Sequence, residues 1–293
     1  MKVLMTSSDR NILQKTAEAH QRMISYGSLF DELHIVLLTT RNSDYATQQI
    51  ANNVYVYPTH SGSILYFWRG YGVAERILHS DVSHKDWVMT AQDPFEWLLA
   101  YLLRLQFKIP FQIQIHTDIF SPYFWKESFK NKLRVLIARF IIPRADGIRV
   151  VSERIKNSLK INSVVLPIFV EIEKIRATTI STDLSQQYSQ FDFIFLIASR
   201  LTKEKNIPMA LCAMKRVVQQ FPRTGLVVVG SGPELHNLKL QAKKLNLKAH
   251  IIFEPWTEEL ASYYKTANCY VLTSNYEGYG RTVVEAMAAD CPV

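Results

Sequence analysis

The strongest constraint on this chain is an alternation of short apolar runs with longer amphipathic stretches. In the first half, KVLM (2–5), LHIVLLT (33–39), NVYVYPT (53–59), WVMTA (87–91), FQIQIHT (111–117) and GIRVVS (147–152) read as strands. Segments 14–28, 95–107 and 126–142 read as helices, the first with Ala17, Met23 and Ile24 inward. The stretch 172–190, IEKIRATTISTDLSQQYSQ, is more polar and loses the periodicity, so it reads as a linker. The pattern restarts with strands at 193–199, 225–230, 249–254 and 269–274, interleaved with helices over 207–221, 233–245 and 257–266 and one beginning near Arg281. Strands separated by helices build βαβ units and parallel sheets. The expectation is an α/β chain of two Rossmann-like domains, 1–171 and 191–293 around the linker 172–190, with their sheets facing a common cleft.

Composition excludes several classes. Hydrophobic residues make up 48% and charged residues 20%, a globular rather than disordered balance. The three cysteines, Cys212, Cys269 and Cys291, form no C-x-x-C pair, which argues against a disulfide framework or a zinc site and for a reducing compartment. The start, MKVLMTSSDR, turns polar too early for a secretion signal, and no run of about 18 apolar residues is present to span a membrane. The expected location is therefore the cytoplasm. The net charge of +8 is concentrated in residues 1–170, with 20 Lys and Arg against 14 Asp and Glu. Such an excess serves either solubility or an anionic partner, a phosphorylated ligand or lipid head groups. No nucleic-acid motif accompanies it, so nucleic acid is not expected as a partner.

Three loops carry candidate chemistry. In IASRLTKEKN, Arg200 and Lys205 follow a strand, where open parallel sheets bind ligands; the pair suits a diphosphate, although surface cations are common. In VVVGSGPE, Gly230 and Gly232 stand between strand and helix and serve either phosphate approach or a tight turn. The missing third glycine of a dinucleotide fingerprint argues against a dehydrogenase. In SNYEGYGRTVVEAMAADCPV, Gly278 and Gly280 precede a helix start, a natural anion site. Glu277 in the loop and Glu285 about one turn into the helix can accept sugar and ribose hydroxyls without a metal, or Glu285 is simply a first-turn carboxylate.

The order R-x(4)-K, G-x-G-P-E, then E-G-x-G-x(4)-E-A-M-A-x-x-x-P-V resembles the retaining glycosyltransferases of family 4, which have the GT-B fold. TAQDPFE, IPFQIQIHTD and ADGIRVVSE in the first half look like the same family. The resemblance implies a metal-independent hexosyltransferase that needs no cofactor and uses a nucleotide-diphosphate sugar as donor and a glycan or lipid-linked acceptor. By position, Arg200 and Lys205 match the pair that neutralises the donor diphosphate, and Glu277 the carboxylate that holds the transferred sugar. Glu285 matches the one that holds the ribose. Gly278 and Gly280, with Tyr279 between them, match the loop that approaches sugar and phosphates. His116 matches a histidine that reaches the sugar from the first domain. Catalytic roles thus fall to His116, Arg200, Lys205 and Glu277; donor binding falls to Gly230, Gly232, Gly278, Tyr279, Gly280 and Glu285.

Departures from the pattern are visible. The usual glycine pair after the first strand is replaced by TSSDRNILQKT, where Ser7, Ser8 or Arg10 stand in its place. The glycine after the family's histidine is Thr117, followed by Asp118, and Ser199 replaces a frequent glycine. The family pattern continues past CPV into further elements, so the second domain is expected to be C-terminally truncated. A donor-binding module without catalysis and another enzyme of the same fold, such as a nucleotide-sugar epimerase, stay open alternatives.

The basic segment 126–144 places Phe129, Leu133, Leu136, Ile137 and Phe140 on one helical face, with Lys130, Lys132, Arg134 and Arg139 mostly away from it. The expectation is that this face packs on the first sheet; the alternative is peripheral contact with an anionic inner membrane face. YFWRGYG (66–72) offers a second aromatic contact.

Overall fold

The computed structural model describes residues 1–39, 46–61 and 65–293. It divides into two compact units, Met1–Phe120 with Ser128–Leu166, and Ser121–Glu127 with Pro167–Val293.

In chain order, the elements up to residue 166 are β1 (Lys2–Ser7), α1 (Glu18–Gly27), β2 (Glu32–Leu37), β3 (Gln48–Ala51), β4 (Val54–Pro58), α2 (Tyr66–His79), β5 (Trp87–Ala91), α3 (Pro94–Phe107), β6 (Phe111–Ile115), α4 (Pro122–Glu127), α5 (Phe129–Ile141), β7 (Gly147–Val150), α6 (Glu153–Leu159) and β8 (Val164–Val165). The sheet runs β3-β4-β2-β1-β5-β6-β7-β8. Every pairing is parallel except that of β3 with β4. Strands β1, β2 and β4 bury Val3, Met5, Leu33, Ile35, Leu37, Val54 and Val56 against Ala19 and Met23 of α1. Helix α3 starts at a capping box: Asp93 accepts from Phe95 N, while Glu96 accepts from the backbone of Asp93 and of Gln92. Glu96 is fully buried, and burial together with the Asp93 charge pushes its carboxyl up to about 8.

The second unit continues with α7 (Ile172–Ala177), α8 (Leu184–Gln187), β9 (Phe193–Ala198), α9 (Ile207–Gln220), β10 (Thr224–Val229), α10 (Leu235–Lys244), β11 (Ile251–Glu254), α11 (Leu260–Thr266), β12 (Cys269–Tyr270) and α12 (Arg281–Ala288). Its sheet is parallel, in the order β11-β10-β9-β12. Such a sheet is buried on both faces, which is why its strands read as continuous apolar runs. Ile197, Leu226 and Val228 pack on one side with α9 and α10; Leu196, Ala198, Val227 and Val229 pack on the other with α11 and α12.

Three readings change. Segment 172–190 is not a free linker: it carries α7 and α8 within the second unit, with Leu184 buried and Ile175 and Tyr188 packed on that core. The loss of periodicity reflects two short helices that each offer only a few apolar contacts. Helix 126–142 is split at Ser128, whose hydroxyl caps α5 by accepting from Asn131 N. The face of α5 that meets the first unit is Asn131, Val135, Ala138 and Ile141, not the stripe read from the sequence. Phe129, Leu133, Leu136 and Phe140 are 83%, 41%, 52% and 46% exposed. YFWRGYG opens α2, which the sequence reading left unassigned, and leaves Trp68 exposed.

Candidate functional site

In the second unit, the candidate residues gather where β9, β10 and β12 end. Strand β9 stops at Ala198, and buried Ser199 leads to Arg200, whose side chain is 77% exposed and donates to Glu204 Oε1 at 3.2 Å. Lys205 closes a single 3-10 turn, and Asn206, at φ 46°, redirects the chain into α9. Lys205 Nζ donates to Glu277 Oε1 at 2.5 Å, with the two side chains only 16% and 26% exposed. Ser274 Oγ donates to the same carboxylate oxygen at 2.7 Å. Two bonds to backbone carbonyls tie the loops together: Thr273 Oγ1 donates to Lys205 O at 3.1 Å and Asn275 N to Glu204 O at 2.8 Å. Tyr276 in the second loop donates to Glu127 of α4 and meets the edge of the Phe124 ring at 5.6 Å.

Gly280, at φ 78°, is the N-cap of α12, a backbone conformation that suits glycine. No side chain caps this helix and no acidic residue occupies its first turn, so no carboxylate neutralises the positive end of its dipole there. Tyr270 anchors the start of α12, donating to Ala198 O at 3.2 Å and accepting from Thr282 Oγ1 at 2.7 Å. Glu285, one turn in, is held by Arg281 Nε at 2.7 Å and Tyr264 OH at 3.3 Å. Gly278 and Tyr279 lie in the half-buried loop before this helix.

Gly230 and Gly232 follow β10. A Cβ on Gly230 would lie 1.9 Å from Ser199 O, and one on Gly232 2.4 Å from Leu201 O. Leu201 N also bonds Ser231 O at 2.9 Å, and Glu234 N bonds Leu201 O at 3.0 Å. The turn reading of these glycines therefore has a direct physical basis: the loops after β9 and β10 touch through backbone.

His116 stands in the first unit, just past the end of β6. Gln114 Oε1 accepts from Arg149 Nη1 at 2.9 Å and lies 3.3 Å from His116 Nε2. An oxygen that already faces a donor requires His116 Nε2 to carry the proton, which leaves Nδ1 as an acceptor. Burial, then the Arg149 and Arg22 charges, push the imidazole down to about 4, so it is neutral near pH 7. Ser7 is buried at the end of β1 and accepts from Asp9 N at 3.2 Å; Asp118 takes Arg154 Nη1 at 3.1 Å.

The structure thus brings Lys205 and Glu277 into contact and places Arg200, Gly230, Gly232, Gly280 and Glu285 around the same sheet edge; His116 belongs to the first unit. Sequence reading missed Glu204, Ser274, Tyr264 and Tyr270, which hold the candidates in place. Tyr264 and Tyr270 give no signal in the sequence, because each acts through a partner distant in it, as Tyr270 does through Ala198, whereas Ser274 and Glu204 act on near neighbours, Glu277 and Arg200. Among the described residues no group of three or more His, Cys, Asp or Glu could hold a metal ion.

Residues 185–293 match the family described as Glycosyl transferases group 1. The chain is 29% identical over 212 residues to the alpha-monoglucosyldiacylglycerol synthase of Streptococcus pneumoniae, covering 67% of this chain and 48% of that one. It spans about half the length of the curated relatives it matches. Among solved structures, sucrose-phosphate synthase from Thermosynechococcus elongatus superposes with a TM-score of 0.78 at 19% identity, covering all of this chain and 80% of that one. Anabaena HepE, in complex with UDP and glucose, superposes with a TM-score of 0.72, also at 19% identity and with the same coverage. The fold is the GT-B type, with a Rossmann-like sheet in each unit.

Proposed function

We propose that this chain, whose residues 185–293 match the group 1 glycosyltransferases, moves a sugar from a nucleotide-diphosphate donor to an acceptor hydroxyl. One observation carries the reading: the Lys205–Glu277 contact at the carboxyl edge of the second sheet, with the N-terminus of α12, which has no acidic residue in its first turn, in the next stretch of chain. A cation, a carboxylate and the positive end of a helix dipole are what a sugar diphosphate requires. Lys205 and Arg200 take the diphosphate, Glu277 the sugar hydroxyls, and Glu285 the ribose. Gly278, Tyr279 and Gly280 supply the loop that approaches donor, and the family motif assigns His116 to the transferred sugar. The UDP and glucose held by HepE support a uridine nucleotide and a hexose as the first donor to try.

The reaction breaks the bond between the anomeric carbon and the diphosphate oxygen and forms one to the acceptor oxygen on the same face. The acceptor's proton passes to the departing phosphate, and configuration is retained. Lys205 and Arg200 stabilise the negative charge on the leaving group, with no metal and no cofactor in the step. The name of the pneumococcal relative supports a lipid-linked acceptor ahead of a free glycan, and α5 is the element suited to an anionic membrane surface. The test is transfer from UDP-glucose to a diacylglycerol or polyprenyl acceptor, read by mass. Lys205→Ala and Glu277→Gln should each abolish transfer; activity intact in both would overturn the site. Donor bound but never transferred to any acceptor would make the chain a binding module.

A further inference from the structure

Behind His116 the first unit holds a chain of hydrogen bonds with no role in the assignments above. Parallel register aligns Thr90 with Gln112 and Gln114 with Arg149, so β5, β6 and β7 present these polar side chains on one sheet face. Gln114 is buried and engaged at both ends of its amide. Its Nε2 donates to Thr90 Oγ1 at 2.9 Å, and the Thr90 hydroxyl donates in turn to Gln112 Oε1 at 3.3 Å. Its Oε1 accepts from Arg149 Nη1 at 2.9 Å and lies 3.3 Å from His116 Nε2. Arg149 is anchored from its other side by Leu166 O, which takes Nε at 3.3 Å and Nη2 at 3.1 Å.

Each link fixes the next. A guanidinium stays protonated and can only donate, so the Gln114 atom facing Arg149 must be the oxygen. His116 Nε2 then faces an oxygen and must carry the proton; the opposite tautomer would set two lone pairs against each other. A glutamate at 114 would also accept from Arg149, but its charge would favour the imidazolium. The neutral amide orients the ring without charging it, and burial keeps the imidazole neutral near pH 7. Nδ1 makes no hydrogen bond among the described residues, on a ring that is only half-buried. From that atom the ring offers a lone pair and no proton.

We propose that Arg149 and Gln114 are positioning residues that hold His116 as its Nε2–H tautomer, and that His116 thereby selects a donor sugar by accepting from one of its hydroxyls. A lone pair at Nδ1 attracts an O–H, repels a carboxylate and gains nothing from a C–H. The favoured donor is a neutral sugar with a hydroxyl where the ring meets it; a sugar deoxygenated there, or carrying a carboxylate there, is rejected. That the lone pair meets the transferred sugar rests on the sugar-transfer reading; the hydrogen-bond chain and the tautomer do not.

Two measurements on the full chain test this. The first is nitrogen NMR of histidine-labelled protein near pH 7 without substrate, with His116→Gln identifying the resonances. Wild type should show one His116 tautomer, protonated at Nε2. Arg149→Lys should keep it, because lysine also only donates. Arg149→Met lets the amide turn over, with the Thr90 hydroxyl rotating to match, and Gln114→Leu removes the amide; both should populate the Nδ1–H form. Arg149→Met keeps the test valid if Gln114→Leu melts early. The second is calorimetric titration with UDP-glucose, with its singly deoxygenated analogues, and with UDP alone. Wild type should bind one deoxy analogue about tenfold or more weakly than UDP-glucose. Arg149→Met should lose most of that contrast while binding UDP as wild type does, and Arg149→Lys should keep it. An Nδ1–H tautomer in wild type, an unchanged tautomer in both Arg149→Met and Gln114→Leu, or equal binding of every analogue would each overturn the proposal. If the tautomer follows the variants as expected but no UDP-sugar binds, the transfer reading fails and the positioning of His116 stands.

Discussion

Lys205 Nζ and Glu277 Oε1 meet at 2.5 Å across 72 positions of sequence, joining the loop after β9 to the loop before α12. Each thereby holds the other in the rotamer that faces the sheet edge. Both side chains are mostly shielded, so removing one partner leaves the other under-solvated. Lys205→Ala or Glu277→Gln should cost about 1–3 kcal/mol of stability. The double variant should cost less than the sum of the two, which a denaturant-melt cycle measures. A coupling of zero would mean that the pair does not form in solution.

Gly230 and Gly232 separate two explanations that sequence could not. If backbone crowding dominates, Gly230→Ala must drive a Cβ into Ser199 O, only 1.9 Å away, and should destabilise by about 2–4 kcal/mol. Gly232→Ala should do the same through Leu201 O. If the glycines instead serve donor phosphates alone, both variants would melt like wild type and lose only donor affinity. Thermal melts alongside UDP titration decide between the two.

His116 imposes a pH dependence on folding. Its ordinary value of 6.5 falls to about 4 in the native chain, chiefly through burial and then through Arg149 and Arg22. Between those values the unfolded chain binds the extra proton and the native one does not, so stability rises with pH and is lost on acidification from 6.5 towards 4. The loss amounts to roughly 2–3 kcal/mol. His116→Gln should flatten that part of the stability curve, measured by chemical denaturation from pH 4 to 8. A slope equal to that of wild type would contradict the burial of the imidazole.

Much of the fold was legible because parallel strands bury both faces and leave continuous apolar runs. FIFLIAS and GLVVVG mark β9 and β10 to within a residue. Candidate site residues were legible where they stand in the loops that leave strand ends, as Arg200 does after β9 and Glu277 between β12 and α12. What failed was the assignment of faces. Periodicity shows that α5 has an apolar stripe but not which stripe meets the sheet. Val135, Ala138 and Ile141 won the interior because small and β-branched side chains let the helix sit close, with Ala138 and Ile141 fully buried. The supports of the site, Tyr270 to Thr282 and Tyr264 to Glu285, were illegible because tertiary pairing alone creates them.

The exposed stripe of α5 leads to the last prediction. Phe129, Leu133, Leu136 and Phe140 repeat at helical spacing on the outside, and exposed Lys130, Lys132 and Arg139 flank them without an acidic residue between 128 and 145. Arg134 is excluded from this surface, because it pairs with Asp93 at 2.8 Å. Apolar side chains with cations on the flanks match the interface of an anionic bilayer, where each basic residue adds about 1 kcal/mol. The chain should co-sediment with vesicles containing phosphatidylglycerol and release them as salt rises. Leu133→Glu with Leu136→Glu should abolish binding without lowering the melting temperature, since neither residue is in the core. Lys132→Gln with Arg139→Gln should weaken it about tenfold or more. Equal binding to neutral and anionic vesicles, or no loss in the double glutamate variant, would remove the membrane from this surface.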